Sequence, residues 1–280
     1  MLYERIYALL PSECCIREKK TDFRLALVGE PNAGKSTLLN SLLNEERVLV
    51  SDVPGTTRDF IEEILMYQDH SLCLIDTAGI KKQKKIRSTA GVFSLFRTRK
   101  VIRNSDVIIL IIDAVRGPQQ DSRAIYKTIY DSGRACVLAV NKWDRMRDTT
   151  MEEYKKHLFR HCGFMRNTPV IFISAKTKRN VLSLLDVSVT VWYNYTVSIP
   201  TMELNKFLAS VKRVNPPGPR VRLKYMVQVD MRPPTFVIFG KGMQFLQKKF
   251  KTYMVNEMSK GFHLHGTRPR IFYKEERKPQ

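Results

Sequence analysis

Hydrophobic and polar positions alternate along this chain in two distinct periods. Continuous apolar runs at residues 23–28, 71–76, 107–113, 135–140 and 169–173 read as buried strands, and 60–67 alternates as a half-exposed one. Helical spacing fills the stretches between them: Gly34 to about Leu43, about Gly117 to Gly133, Met151 to Cys162, and Val181 to Tyr195. Strand and helix in strict turn predict an α/β fold, a doubly wound and mostly parallel sheet with its ligand at the C-terminal ends of the strands. Ahead of it, residues 2–10 have helical spacing that Pro11 stops, followed by a polar connector.

The pattern changes at Thr201. A helix with a Thr cap (201–214) leads through Asn215-Pro-Pro-Gly-Pro219 to a basic, alternating strand (220–229) and a second strand (232–240). A helix from Met243 to Met258 and a final strand at 270–274 complete an α-β-β-α-β order, a small α+β domain of about 80 residues. The expected division is therefore a linker (1–22), an α/β domain (23–196) and the small domain (197–280).

Between the first strand and the first helix lies GEPNAGKST, a G-x-x-x-x-G-K-[ST] loop through Gly29, Gly34, Lys35 and Ser36. Glycines let the backbone turn its N–H groups toward a diphosphate, and the following helix adds the positive end of its dipole. Lys35 then reaches the β- and γ-phosphates and Ser36 is placed to ligate Mg²⁺. The nucleotide-contact set here is Gly29, Glu30, Pro31, Asn32, Ala33, Gly34, Lys35, Ser36 and Thr37.

Strand 71–76 ends in Asp76, followed by Thr77, Ala78, Gly79 and Ile80. An acid at a strand's C-terminal edge facing a phosphate loop holds Mg²⁺ through water, and Gly79 lets a backbone N–H approach a γ-phosphate. Strand 135–140 runs into Asn141-Lys142-Trp143-Asp144. Asn141 can read the N7/O6 edge of a base, Lys142 can lie along its plane, and Asp144 can accept from the ring N–H and exocyclic amine that only guanine offers. Ser174-Ala175-Lys176, after strand 169–173, is a base-edge loop. The expected ligands are GTP or GDP with Mg²⁺.

Charge adds a partner class. The net charge of +21 is segregated: residues 1–80 carry −5, 81–103 carry +9, 104–196 carry +5 and 197–280 carry +12. Such segregation favours a polyanion, RNA before a membrane surface, with Arg220, Arg222, Lys224, Lys248, Lys249 and Lys251 as the candidate contacts. No apolar run is long enough to span a bilayer, and the N-terminal stretch lacks the apolar core of a secretory signal. The five cysteines form no C-x-x-C pair, and Cys73 and Cys136 fall inside apolar strands, as buried thiols in a reducing compartment would.

The phosphate loop, PGTTRD (54–59), DTAGI (76–80), NKWD (141–144) and SAK (174–176) together resemble the five-motif set of TRAFAC-class GTPases. With Gln120-Asp121, the match is similar to the second G domain of the Der (EngA) family. ELNKFL (203–208), KYMVQ (224–228), RPPTFVIFG (232–240) and GFHLHGTRPRI (261–271) resemble that family's KH-like domain. The resemblance covers nearly the whole chain. It implies a GTPase acting in assembly of the large ribosomal subunit, binding rRNA, monomeric and in the bacterial cytoplasm, or alternatively in a mitochondrial or plastid matrix. The family's upstream G domain is not in this sequence, and Gly91 stands where the family has an acid.

In that frame Thr57 is the candidate switch hydroxyl on Mg²⁺ beside Ser36 and Asp76, with Thr56 the alternative. Ile80 leaves no glutamine after DTAG to orient water, which implies slow turnover. Asn32 matches the asparagine that ligates an activating K⁺ in related GTPases, so Lys35, Thr57 and Asn32 form the candidate catalytic set. Two alternatives stay open: a non-hydrolysing GTP-gated RNA-binding module, and a K⁺-dependent GTPase of the tRNA-modification type.

Overall fold

The computed structural model describes residues 21–51, 63–75, 91–161 and 165–276. Its larger sheet has seven strands in the order β2-β3-β4-β1-β5-β6-β7. These are β1 (Phe23–Gly29), β2 (Val48–Ser51), β3 (Glu63–Tyr67), β4 (His70–Ile75), β5 (Val107–Asp113), β6 (Ala135–Asn141) and β7 (Val170–Phe172). Strands β4, β1, β5, β6 and β7 run parallel, and the β2–β3–β4 meander makes the other edge antiparallel. Five helices connect them: α1 (Lys35–Leu43), α2 (Gly91–Asn104), α3 (Gln120–Ser132), α4 (Met151–His161) and α5 (Val181–Tyr195).

Every residue of β5 and β6 is buried, because helices cover both faces and successive side chains point to opposite sides. Val107, Ile109 and Ile111 pack with α1 and α5, while Ile108, Leu110 and Ile112 pack with α2, α3 and α4. Strand β1 pairs with β4 on one side and β5 on the other. Its C-terminal end is thus the point where strand order reverses, the crevice in which such sheets bind ligands.

The smaller domain comprises α6 (Thr201–Val214), β8 (Arg222–Met231), β9 (Pro234–Lys241), α7 (Lys248–Gly261) and β10 (Arg270–Glu275). Its sheet order is β10-β9-β8, with β10 parallel and β8 antiparallel to β9. Leu204, Leu208, Met226, Phe236, Ile238, Phe250, Met254 and Met258 form a core of their own.

Several elements differ from the sequence expectation. The short edge strand β2 lies where the pattern predicts no strand; four residues are too few for a period-2 signal. The basic strand expected at 220–229 forms two residues later, over Arg222–Met231. The helix expected from Met243 begins at Lys248, and Met243–Phe245 is a separate 3₁₀ turn. A tertiary contact overrides the local preference there, since the Glu275 carboxylate accepts the N–H groups of Gly242 and Met243 at 2.9 and 3.0 Å. The helix expected at 2–10 lies outside the described residues.

The two domains meet at the end of the sheet opposite the phosphate loop. The N–H of Cys136, at the start of β6, donates to Gly266 O at 2.8 Å, and the Gly266 N–H donates to Asn167 O at 2.7 Å. Gly266 is thereby inserted as a backbone bridge below the point where β6 and β7 pair. A side chain there would lie 2.7 Å from both Val191 methyls, so only glycine fits this φ +77 position without displacing them. The Asn167 and Asn194 amides donate to Leu264 O and His265 O, and the Arg268 guanidinium lies 3.9 Å from the centre of the Tyr130 ring.

Candidate nucleotide site

The phosphate loop is shaped by its packing. Gly29 has φ +154, and a Cβ there would lie 2.5 Å from Ile111 O. Gly34 has φ +102, and a Cβ would meet Asn141 Nδ2 at 2.1 Å. Neighbouring strands therefore demand both glycines independently of any phosphate. Helix α1 starts from Gly34 with no side-chain cap and no acid in its first turn, so it offers its leading N–H groups to an anion.

Lys35 is 9 % exposed and its ammonium donates to Gly29 O at 2.8 Å and Glu30 O at 2.7 Å. Burial pushes its pKa down from 10.5 to about 8, against the opposing pull of the Glu30 carboxylate. That carboxylate accepts the Ser122 N–H at 2.9 Å and also the Ser122 hydroxyl. The second residue of the loop thus caps the first turn of α3, a role that its place in the motif does not disclose. A buried cation, uncapped helix N–H groups and two glycines fit a diphosphate group.

Asn141 is 2 % exposed and joins two loops. Its Nδ2 donates to Ala33 O at 2.9 Å and its Oδ1 accepts the Ala175 N–H at 3.0 Å. These partners fix the orientation of the amide and leave one N–H for a base edge. Lys142, at φ 63, sends its ammonium to Asp113 Oδ2 at 2.6 Å and Asn32 O at 2.7 Å, so its stem crosses the site while its charge is anchored. Burial raises the Asp113 pKa, but hydrogen bonds from Lys142 and the N–H groups of Val115 and Arg116 outweigh it and hold the carboxyl below its ordinary range. Asp113 belongs to the site although the motifs do not include it. Its only signal in the sequence is an acid ending an otherwise wholly apolar strand.

Trp143 supplies no accessible ring face. It is 8 % exposed and lies 4.4 Å from Phe172 and 5.5 Å from Tyr154, centre to centre. It serves as an anchor, and the next residue, Asp144, projects into solvent with no hydrogen bond or ion pair among the described residues. Ser174 is buried and its hydroxyl accepts the Thr177 N–H, while Lys176 is exposed. Pro31 and Asn32 are exposed on the loop, and in the first turn of α1 Ser36 is half-buried and Thr37 exposed. Thr56, Thr57, Asp76, Thr77, Ala78, Gly79 and Ile80 lie outside the described residues.

The six basic residues expected to face RNA divide between two surfaces. Arg222 and Lys224 lie on β8, where Lys224 pairs with Glu276; Lys248, Lys249 and Lys251 lie at the start of α7. Arg220 sits over the Phe245 ring. Among the described residues, no helix is long and apolar enough to cross a membrane, and Cys73 and Cys136 are buried and form no disulfide.

This fold and loop set define the class: a P-loop protein of the GTPase type with a KH-like domain behind it. Residues 24–142 match the family described as "50S ribosome-binding GTPase", and 198–274 match "KH-domain-like of EngA bacterial GTPase enzymes, C-terminal". Within the class, the curated relatives it resembles carry the name GTPase Der. GTPase Der of Caldicellulosiruptor saccharolyticus is 36 % identical over 91 % of this chain and 59 % of its own length. GTPase Der of Ruminiclostridium cellulolyticum is 34 % identical over 99 % of this chain and 64 % of its own. The chain thus spans about three-fifths of the length of these curated relatives. Among solved structures, Aquifex aeolicus Era aligns at 18 % identity with a TM-score of 0.43, over 91 % of this chain and 93 % of that one.

Proposed function

We propose that this chain binds guanine nucleotide, hydrolyses GTP and acts on the large ribosomal subunit or its precursors as a cytoplasmic monomer. The observation that carries the nucleotide half is Asp144: a solvent-facing carboxylate without a protein partner, held by the buried Trp143 beside the Asn141 bridge. It suits the two donors of guanine's Watson–Crick edge, and the phosphate loop lies one hydrogen bond away through Ala33. The ribosomal half is supported by the family's description and by the basic C-terminal domain, for which we propose limits of 197–280 beside a nucleotide-binding domain of 23–196 and a linker of 1–22. Sedimentation with large subunits is the test. Co-migration is expected with a non-hydrolysable GTP analogue and not with GDP, and equal migration with both would refute a nucleotide-gated role.

Lys35 and the α1 N–H groups would neutralise phosphate charge, and Ser36, Thr57 and Asp76 are the residues that would hold Mg²⁺. Turnover should be slow, because Ile80 cannot orient water. Asn32 carries the K⁺ proposal. It is exposed at φ 65 with its side chain without a partner among the described residues, while its backbone carbonyl is tied to Lys142. Hydrolysis is expected to run several-fold faster in KCl than in NaCl and to lose that difference in Asn32→Ala; equal wild-type rates in the two salts would dispose of the idea.

A further inference from the structure

The three strands of the C-terminal sheet have two unlike faces. Met226, Phe236, Ile238, Ile271 and Tyr273 point toward α6 and α7 and join the core. By alternation, Tyr225, Val227, Val237, Phe239, Phe272 and Lys274 point the other way, and the strand register sets them in rows: Tyr225 beside Phe239 beside Lys274, and Val227 beside Val237 beside Phe272. Val237 at the centre of this face is buried, while Tyr225, Phe272 and Lys274 around it are exposed. The rings of Tyr225 and Phe239 are stacked at 4.7 Å with planes 17° apart, yet Tyr225 remains 42 % exposed and Phe272 53 % exposed.

The charge around these rings is one-sided. Arg222 and Lys241 pair across the end of the same face, Lys274 completes the aromatic row, and none of the three donates a side-chain hydrogen bond among the described residues. The acids close by are already engaged: Glu275 accepts from the N–H groups of Gly242 and Met243, and Glu276 pairs with Lys224. Nearby cations therefore outnumber available carboxylates. The nucleotide-binding domain abuts this face at its Arg270 end, where Arg270 donates to Ser132 O at 2.7 Å, and leaves the Phe272 and Lys274 end open.

We propose that this open sheet face binds single-stranded RNA, with bases stacked on Tyr225 and Phe272 and the backbone phosphates met by Arg222, Lys241 and Lys274. The assignment rests on the RNA reading above and gives it a place and a mode. Exposed aromatic rings offer π-faces to bases of any sequence, and flanking cations follow the phosphates. A duplex keeps its bases stacked on one another and can use only the cations. The surface is distinct from the lysines at the start of α7, which lie on the helical side of the domain.

The test uses the whole chain and two probes at fixed low salt: a short labelled oligoadenylate single strand and a duplex RNA with the same number of phosphates. Tyr225→Ala and Phe272→Ala are each expected to weaken single-strand binding about tenfold and leave duplex binding and GDP binding unchanged, whereas Tyr225→Phe, which keeps the ring, should bind as the wild type does. Ultraviolet crosslinking should attach the strand to the peptide holding Tyr225. Both side chains are exposed, and near-ultraviolet circular dichroism with GDP binding checks that each variant folds. If the alanine variants bind as the wild type does while a Lys248→Glu, Lys249→Glu variant does not, RNA binding stands and this face is not its site. Failure of the wild-type chain to bind either probe removes both readings. Protection of Tyr225 and Phe272 by a protein partner, with no RNA crosslink, would also overturn the proposal.

Discussion

Asp144→Asn is expected to lower GDP affinity by roughly two to three orders of magnitude while leaving the melting temperature almost unchanged. The two effects separate because the carboxylate is exposed and bonds to nothing in the protein, so nothing in the fold misses it. The ligand does. Two charge-assisted hydrogen bonds disappear, and the new amide N–H faces the ring N–H and amine of guanine as donor against donor. The same amide suits the 2-oxo group of xanthine, so xanthosine diphosphate should bind the variant more tightly than GDP does. Titration calorimetry with both nucleotides decides it; undiminished GDP affinity in the variant would remove Asp144 from the site.

Raising the pH above about 8 should weaken phosphate binding and, over the same window, add to the stability of the free chain. Both follow from Lys35, whose pKa burial lowers from 10.5 to about 8. Above pH 8 the folded chain loses the ammonium that neutralises phosphate, and GDP affinity should fall toward a limiting slope of about one decade per pH unit. The unfolded chain keeps that proton until about 10.5, so between these values it binds more protons than the folded chain and stability rises with pH. Near the top of the window tyrosines oppose this. Burial raises Tyr67 and Tyr154 to about 12, so these phenols ionise first in the unfolded chain. Binding curves for Lys35→Ala supply the baseline, since guanine titrates there too but no ammonium is lost. A wild-type affinity as flat with pH as that of the variant would show that Lys35 is already neutral or does not meet the phosphates.

The parallel core was legible because burial on both faces writes β5 and β6 as unbroken apolar runs between helical patterns. The loops at its C-terminal edge were legible because their glycines and polar residues interrupt that pattern at fixed spacing. What the motifs did not disclose is how the loops hold one another. Asn141 bridges Ala33 and Ala175, Lys142 is anchored by Asp113, and Glu30 caps α3, each over a separation of at least 29 residues. Local pattern carries no information at that range. Trp143 shows the converse, a residue inside a recognition motif whose side chain serves the core. The boundary of α7 was misplaced for a similar reason, because Glu275 fixes the turn before it from the last strand.

The bridge at Gly266 bears on whether these two domains can be treated as interchangeable modules. Its backbone takes the N–H of Cys136 and gives its own to Asn167, so part of the hydrogen bonding of the larger sheet is supplied by the C-terminal domain. A chain cut after Tyr195 would leave a donor and an acceptor unmatched at the lower seam of β6 and β7, next to the buried thiol of Cys136. Any graft of this nucleotide-binding domain onto another protein would need a replacement peptide for that seam, and so would a natural gene fusion that discarded the tail.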